Sequence, residues 1–493
     1  MRYYTSTRKK GQELTAAQAV LQGISQDGGL FVPTSMPQID FKLEDLMPLS
    51  YKEIAYRVMR LFFDDLTEEE LKSCIDKAYD SKFDDEAIAP LVCTQKTQFL
   101  ELFHGPTLAF KDMALTILPY LMLASKAKEK EDKEIVILTA TSGDTGKAAL
   151  EGFAGVEETK IIVFFPENGV SDVQKRQMVT QVGDNTLVVG IEGNFDDAQT
   201  GVKQIFGDKA FNDYIGEKGY KFSSANSINI GRLTPQVVYY FHAYIQMVKL
   251  GKLELGDTMN VAVPTGNFGN ILAAYYAKEM GLPISQLICA SNKNKVLFDF
   301  FKEGVYDRNR EFHITNSPSM DILISSNLER LLYHLSGERT DLVNGMMEEL
   351  KETGKYSVTE VMKEQMRAFY GGYVEDEGTQ TYIKQVYEEE SYLMDTHTAV
   401  AYAVYDQYVK ETGDETPTVI ISTASPYKFT GSVMGSLDER YKEKEDVKLL
   451  EEMEKLLGEP MPLGVKNLFE KEIKHKNKCK INEMKKVIEN FLD

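Results

Sequence analysis

Cysteine and histidine are too few and too scattered in this chain to build a metal centre. The four cysteines, at positions 74, 93, 289 and 479, show no Cys-x-x-Cys spacing, and the six histidines form no His-x-x-x-His pair. Zinc sites and disulfide frameworks both depend on such spacings. We therefore expect neither a metal ion nor a disulfide framework.

Long apolar runs are also missing. No apolar stretch reaches the roughly 18 residues that a transmembrane helix needs. The first fifteen residues contain Arg8, Lys9 and Lys10 but no apolar segment after them, unlike a signal peptide. We expect a cytoplasmic protein with no membrane partner.

Basic residues are in deficit. The chain has 56 Lys and Arg against 76 Asp and Glu, a net charge of −20, and no basic stripe offsets it. Such a chain repels nucleic acid and anionic membranes, so we expect no nucleic-acid partner. A small anionic substrate would need a local cluster of positive donors. We expect a monomer or a homodimer.

The 493 residues suffice for about three domains. Residues 1–95 read as a small, mainly helical N-terminal domain. It has a short strand near Arg2, capping boxes opening helices at Thr15 and Thr67, and a further helix from Ser50 to Phe63.

From about residue 96 the pattern changes to short β-branched runs that alternate with helical stretches. The runs are continuously apolar, as expected of strands buried on both faces. Such alternation predicts an α/β fold with doubly wound, mostly parallel sheets, here a core of two α/β subdomains over 96–435. The runs are Ile135–Leu138, Lys160–Phe165, Thr186–Ile191, Met259–Val263, Gln286–Ala290 and Thr418–Ser422.

Two further stretches read as helical. Residues 300–395 are rich in Glu, Lys and Tyr at helical spacing, and residues 436–493 form a highly charged extension. We interpret the charge runs as solvated helix faces. The extension is expected to pack on the core.

The segment Glu101–Asp112 contains one lysine, Lys111, after the turn signal Gly105-Pro106-Thr107. Thr107 could cap a helix with Lys111 in its first turn. The unpaired backbone donors there disfavour a second positive charge, which would lower the pKa of Lys111. A lysine that bonds a carbonyl needs this, because only the neutral amine attacks. On this segment alone, a surface lysine after a turn is an equally simple interpretation.

Ligands of parallel sheets bind beyond the carboxyl ends of the strands. Thr139–Gly146, which follows one predicted strand, is rich in hydroxyls and glycine and suits a carboxylate or phosphate at a helix start, but it is not a Walker A loop. Pro264–Asn270 follows another strand, and its Asn270 could cap the next helix. Arg232 offers a forked donor for a dianion, and Thr423 follows a further strand end.

Together these segments resemble the threonine synthase family, within the fold-type II (tryptophan synthase β-like) enzymes that use pyridoxal 5′-phosphate. The start of the chain and Asp27–Pro33 extend the resemblance over roughly residues 1–435. Five motifs in the right order are far more specific than any one of them. They are His104–Asp112, Thr139–Gly146, Asn226–Ile230, Pro264–Asn270 and Thr423–Phe429.

The resemblance implies a role for each motif. Lys111 would form a Schiff base with pyridoxal 5′-phosphate and act as the catalytic residue, and Thr423 would hydrogen-bond the pyridine nitrogen. The cofactor phosphate would be held by Gly266, Asn267, Phe268 and Asn270, and the substrate by Ser142, Thr145, Asn226, Ser227 and Arg232.

The family's reaction converts O-phospho-L-homoserine and water into L-threonine and phosphate, the last step of threonine biosynthesis. Two alternatives stay open at this point. One is a related dehydratase or phospholyase. A dehydratase would have no need of Arg232. The other is a non-catalytic protein that binds the cofactor. His104, His397 and Asp144 are interpreted as local hydrogen-bonding or helix-start residues.

Overall fold

Two parallel sheets form the centre of the computed structural model. It describes residues 1–11, 13–141, 143–167, 170 and 172–493, with the side chains of 195 and 196 left aside. The described residues form fifteen strands: β1 Tyr4–Ser6, β2 Phe31–Pro33, β3 Leu91–Cys93, β4 Gln98–Glu101, β5 Glu134–Ala140, β6 Thr159–Pro166, β7 Thr186–Ile191, β8 Tyr220–Ser223, β9 Met259–Pro264, β10 Ile284–Ser291, β11 Val305–Asp307, β12 Lys355–Ser357, β13 Phe369–Tyr373, β14 Thr418–Ser422 and β15 Asn477–Cys479.

Helices precede, connect and follow the strands. They are α1 Ala16–Gln22, α2 Tyr51–Met59, α3 Glu68–Ala78, α4 Asp112–Leu115, α5 Leu118–Glu129, α6 Asp144–Phe153, α7 Asp172–Val179, α8 Phe195–Gly207, α9 Lys209–Glu217, α10 Ile230–Lys249, α11 Gly269–Glu279, α12 Val296–Glu303, α13 Leu328–Leu335, α14 Thr340–Thr353, α15 Glu360–Gln365, α16 Asp376–Glu390, α17 Thr396–Thr412, α18 Thr430–Leu437, α19 Asp446–Leu457 and α20 Met484–Leu492.

The larger sheet has the strand order β13-β10-β9-β14-β4-β3, and only the edge pair β3–β4 is antiparallel. The smaller sheet has the order β15-β7-β6-β5-β8 and is parallel throughout. All six predicted strands are confirmed, and their apolar residues lie in the core because helices cover both faces of the sheets.

The N-terminal helices follow the capping signals. Thr15, Ser50 and Thr67 each accept a hydrogen bond from the backbone N–H three residues on, which opens α1, α2 and α3. A short antiparallel pair joins β1, which precedes α1, to β2, which lies between α1 and α2. The boundary of this unit near residue 95 stays a prediction.

The purely helical interpretation of residues 300–395 is wrong in part. Five helices lie there or overlap it, but β11 pairs with β12, and β13 extends the larger sheet beside β10. β13 reads Phe-Tyr-Gly-Gly-Tyr, an edge strand held by backbone bonds to one neighbour, so it lacks the apolar run of a central strand.

The charged C-terminal region contains α19 and α20, as its helical spacing indicates, and one strand that was not predicted. This strand, β15, pairs with β7 at the edge of the smaller sheet. Arg176 donates to the carbonyls of Phe469 and Lys471, at 2.6 and 2.7 Å. β15 and α20 therefore pack on the smaller sheet and its helices, whereas α19 packs against α18 in the core beside the larger sheet. Among the described residues, no helix is long and apolar enough to cross a membrane.

Candidate active site

Several of the predicted motifs meet beyond the carboxyl ends of β5, β9 and β14. Residues 141 and 143–146 follow β5, residues 265–269 follow β9, and Thr423 follows β14. The Phe110 N–H donates to the Thr423 carbonyl at 2.8 Å, and Ala109 forms a bridge with Ala424. These bonds place the segment that carries Lys111 against the end of β14.

The turn before Lys111 differs from the predicted helix cap. The Thr107 hydroxyl and N–H donate to the Asp112 carboxylate, at 2.6 and 2.7 Å. Thr107 therefore bonds the Asp112 side chain and does not cap the helix. Lys111 itself is the N-cap residue of α4. Gly105 is required here because a Cβ would lie 2.5 Å from the Cβ of Asp112. Burial raises the pKa of Asp112 to about 6, although its bonds to Thr107 oppose the rise.

The Lys111 ammonium is buried in a polar cluster. Its Nζ lies 3.6 Å from Oδ2 of Asp144 and 3.5 Å from Oγ of Ser319, and 4.8 Å from the centre of the Phe110 ring. Burial lowers the pKa of Lys111, the charges of Lys428 and Arg232 lower it further, and Asp144 opposes them. The predicted direction of the shift is confirmed, but burial rather than the helix start is its main cause.

Asp144 has a role that its sequence position did not reveal. Gly143 occupies the N-cap of α6, so the Asp144 carboxylate is free to face the cluster. Its Oδ1 accepts from Gln174 at 2.9 Å and lies 3.2 Å from the Lys428 ammonium, while Oδ2 accepts from the Ser319 hydroxyl at 3.0 Å. Burial alone would raise the pKa of Asp144, but Lys428 and Lys111 outweigh it and hold that pKa well below its usual range.

Lys428 and Ser319 are functional candidates that the sequence interpretation missed. The Lys428 side chain is fully buried and donates to the Thr107 carbonyl at 2.8 Å, so it joins the end of β14 to the Lys111 turn. The Ser319 N–H donates to Nε2 of His397 at 3.1 Å, and Nδ1 of His397 lies 2.8 Å from Asp395. His397 does lie in the first turn of α17, as predicted, and in addition orients Ser319.

The loop after β9 approaches a neighbouring segment closely. A Cβ on Gly266 would lie 2.5 Å from the Ser319 carbonyl oxygen, and Ser325 donates to the Gly266 carbonyl at 2.7 Å. The Asn267 carbonyl accepts from both the N–H and the Nδ2 of Asn327, each at 3.0 Å. The loop is thus held from behind by residues 319–327.

Phe268, not Asn270, stands at the start of α11. Phe268 adopts the left-handed conformation with φ +64, and Asn270 lies in the first turn, so its predicted role as the helix cap is wrong. Its Oδ1 accepts from the hydroxyls of Tyr239, at 2.7 Å, and Tyr240. Its Nδ2 is buried without an acceptor among the described residues.

The predicted substrate residues that the structure describes lie in the loop before α10 and in the first turns of α6 and α10. Oδ1 of Asn226 accepts from Thr139 at 3.1 Å, and the Ser227 hydroxyl accepts from Nδ2 of Asn327 at 3.3 Å. Thr145 follows Asp144 in the first turn of α6 and is partly buried. The prediction for Ser142 lies outside the described residues.

Arg232 is buried in the first turn of α10. Its Nη1 donates to the Ala225 carbonyl at 2.9 Å, and its Nε has no acceptor in the part of the chain that the structure describes. Burial lowers the pKa of Arg232 to about 10. A buried cation with an unused donor is costly unless a ligand supplies an anion.

These residues fit pyridoxal 5′-phosphate. The unused donors of Asn270 and Arg232 call for acceptors, and the first turn of α11 offers backbone donors for a phosphate. Lys111 is buried and its pKa is lowered, as a lysine that bonds an aldehyde requires.

Three family models match the chain. They are threonine synthase N terminus over residues 3–79, pyridoxal-phosphate dependent enzyme over 99–424, and threonine synthase, C-terminal over 398–487. The chain is 41% identical to the threonine synthase of Pseudomonas aeruginosa over 436 residues, which covers 87% of this chain and 89% of that protein. It is 37% identical to the threonine synthase of Saccharomyces cerevisiae over 488 residues, or 92% and 93%.

The fold is similarly matched. The crystal structure of a threonine synthase from Brucella melitensis with pyridoxal phosphate bound has a TM-score of 0.87 and 36% sequence identity. The match covers 100% of this chain and 99% of that one. The similarity therefore extends over the N-terminal unit, both sheets and the charged C-terminal region.

Proposed function

The chain belongs to the threonine synthase family of pyridoxal-phosphate dependent enzymes, and on that basis we propose that it converts O-phospho-L-homoserine and water into L-threonine and phosphate. The carbon–oxygen bond to phosphate breaks at Cγ, and the hydroxyl of water adds at Cβ. One proton leaves Cα and one leaves Cβ. Cγ gains a proton and becomes the methyl group, Cα regains its proton, and the remaining proton of water leaves with the phosphate.

Lys111 is the residue proposed to bond the cofactor. Its burial and its lowered pKa favour the neutral amine that attacks an aldehyde. Gly266, Asn267, Phe268 and Asn270 would hold the cofactor phosphate at the start of α11, where Asn270 still has an unused donor.

Thr423 would face the pyridine nitrogen from the end of β14. A hydroxyl, unlike a carboxylate, does not force a pyridine nitrogen to stay protonated, which suits elimination at the side chain. Bound pyridoxal phosphate supplies an electron sink for the charge that develops as C–H bonds break.

Substrate binding is assigned to Ser142, Thr145, Asn226, Ser227 and Arg232. Arg232 is the strongest of these, because its buried guanidinium has an unused Nε donor and carries the positive charge that a phosphate monoester needs. Asn226 and Ser227 lie on the same loop and offer an amide and a hydroxyl.

Proton transfer is assigned to Lys111. When it is not bonded to the cofactor, the Lys111 amine would be free to carry protons at Nζ. Asp144 and Ser319 lie beside that atom, so they orient the amine and stabilise its protonated form. The buried setting excludes bulk water from the reacting carbons.

The observation that carries the proposal is the burial of Lys111 beside Asp144 and Ser319, where the charge of Arg232 lowers the pKa of Lys111. The test is to assay phosphate release and threonine formation from O-phosphohomoserine in the same reaction. Equal amounts of both products support the function. Phosphate with a 2-oxo acid and no threonine would indicate a phospholyase, and turnover of threonine or serine alone a dehydratase.

Two further properties stay proposals. We expect a cytoplasmic protein, and a monomer or a homodimer. Light scattering of the purified holoenzyme measures the second.

A further inference from the structure

Arg330 is a buried cation with no carboxylate partner among the residues that the structure describes. Its side chain has no exposed surface, and its guanidinium donates to three acceptors from three separate segments. These are the Phe31 carbonyl at 2.9 Å from Nε, Oδ1 of Asn327 at 2.5 Å from Nη1, and the Ile228 carbonyl at 2.5 Å from Nη2. The neighbouring carboxylate, Glu329, is taken by Arg8. Burying a charge among neutral acceptors is costly, so packing alone does not account for Arg330.

Arg330 fixes the orientation of the Asn327 amide. Arginine only donates hydrogen bonds, so the Asn327 atom that faces it must be Oδ1. Nδ2 is then directed to the Asn267 carbonyl at 3.0 Å and to the Ser227 hydroxyl at 3.3 Å. The backbone N–H of Asn327 also donates to the Asn267 carbonyl.

Both loops that need an anion therefore depend on Arg330 and Asn327. Asn267 lies in the loop after β9, and Ser227 and Ile228 lie in the loop that leads to Arg232. The contact to Phe31 ties the same guanidinium to β2 of the N-terminal unit.

We propose that Arg330, acting through Asn327, is a positioning residue that sets these two loops for the phosphate groups of the cofactor and of the substrate. The identity of the two ligands rests on the proposed function. The placement of the loops rests on the six hydrogen bonds described above.

The test uses the full-length chain from which the cofactor has been removed and to which pyridoxal phosphate or pyridoxal is then added. The dissociation constant of pyridoxal divided by that of pyridoxal phosphate isolates the contribution of the phosphate. In Asn327→Asp, the guanidinium keeps its acceptor, but the Asn267 carbonyl loses the side-chain donor. We expect a nearly unchanged melting temperature, a ratio reduced about tenfold or more, and a rise in KM for O-phosphohomoserine that exceeds the fall in kcat.

Two further variants exclude charge effects. Asn327→Leu is neutral and close in volume, and we expect the same loss of discrimination. Arg330→Lys keeps the positive charge, but one ammonium cannot span three acceptors, so we expect the same loss although the charge is retained.

Arg8→Met is the matched control. It breaks the 2.8 Å ion pair between Arg8 and Glu329, the residue next to Arg330, but contacts neither loop. We expect a lower melting temperature and an unchanged ratio.

The inference is overturned if Asn327→Asp keeps the wild-type ratio, or if Arg8→Met reduces it as much. If Arg330→Lys does not fold, the two Asn327 variants decide. A wild-type chain that discriminates pyridoxal phosphate from pyridoxal but makes no threonine would refute the proposed function alone.

Discussion

The Lys111 ammonium lies 3.6 Å from Asp144, whose carboxylate also lies 3.2 Å from Lys428. One buried acid is thus shared between two buried amines. Lys428 has a second acceptor in the Thr107 carbonyl, so it holds Asp144 in place while Lys111 is free to exchange partners. This arrangement leads to the first prediction.

Asp144→Asn leaves two buried lysines without a counter-charge. Because Asp144 raises the pKa of Lys111, its removal should lower that pKa further. More of the amine is then neutral at a given pH, so the acid limb of the rate of pyridoxal phosphate uptake should move to lower pH. Unpairing the buried charge should also lower the free energy of unfolding by about 3 kcal/mol or more. Uptake followed by absorbance and urea unfolding measure the two effects.

Glu151→Gln is the control for this prediction. It breaks the partly buried ion pair with Lys147, 2.9 Å long, in the same helix as Asp144. It should lower the free energy of unfolding without moving the acid limb of pyridoxal phosphate uptake. An acid limb that stays in place in Asp144→Asn, or moves to higher pH, would count against the assigned role.

Lys111→Ala should abolish activity, because it removes both the covalent bond to the cofactor and the proton carrier. The purified variant should lack the visible absorbance that borohydride reduces. The control is Lys175→Ala. Lys175 lies on α7 and pairs with Glu167, so its removal should keep that absorbance. Persistence of a reducible absorbance in Lys111→Ala would show that another lysine bonds the cofactor.

Arg232→Ala should weaken use of O-phosphohomoserine and leave the cofactor bound. Losing one charge-assisted bond costs about 1.5–3 kcal/mol, a fall of roughly 10- to 150-fold in kcat/KM. Arg176→Ala is the control, because Arg176 donates to C-terminal carbonyls and should affect stability only. Loss of cofactor absorbance in Arg232→Ala would move Arg232 to the cofactor side of the site.

The sequence predicts those parts of the site that local chemistry decides. Lys111 and Thr423 are placed by a turn and a strand end, and the apolar runs locate the central strands. In contrast, the capping role of Asn270 was wrong because two tyrosines from α10 take its side-chain oxygen. That contact joins residues about thirty positions apart, and spacing alone does not encode it.

The missed residues share the same cause. Asp144 reads as a helix cap until Lys428 and Ser319, from distant segments, are seen on its carboxylate. Ser319 and Arg330 stand in the stretch that was interpreted only as helical. Their partners, Asp144 and Ile228, are more than a hundred positions away. Edge strand β15 was missed because its three residues, Asn, Lys and Cys, pair with one neighbour and give no apolar run.

His104 should make the stability of the protein depend on pH. Its ring nitrogens lie 2.7 Å from Asp84 and 2.8 Å from Glu101, so it joins the end of the N-terminal unit to β4. Burial lowers the pKa of His104, but the two carboxylates outweigh it and raise that pKa to about 9. A raised pKa means that the folded chain binds the proton more tightly. The stabilisation is therefore complete below about pH 6.5 and is lost as the pH rises through about 9.

The measurement is the free energy of unfolding of the wild type and of His104→Gln between pH 6 and pH 9.5. The difference between them should be largest at pH 6 and should shrink by no more than about 3 kcal/mol, because exposed Asp84 is screened by solvent. His334→Gln is the control. Burial lowers the pKa of His334 to about 4, so its contribution changes only below about pH 6.5 and should stay flat over the upper range. A difference for His104→Gln that is equally flat above pH 6.5 would mean that His104 is neutral in the folded protein.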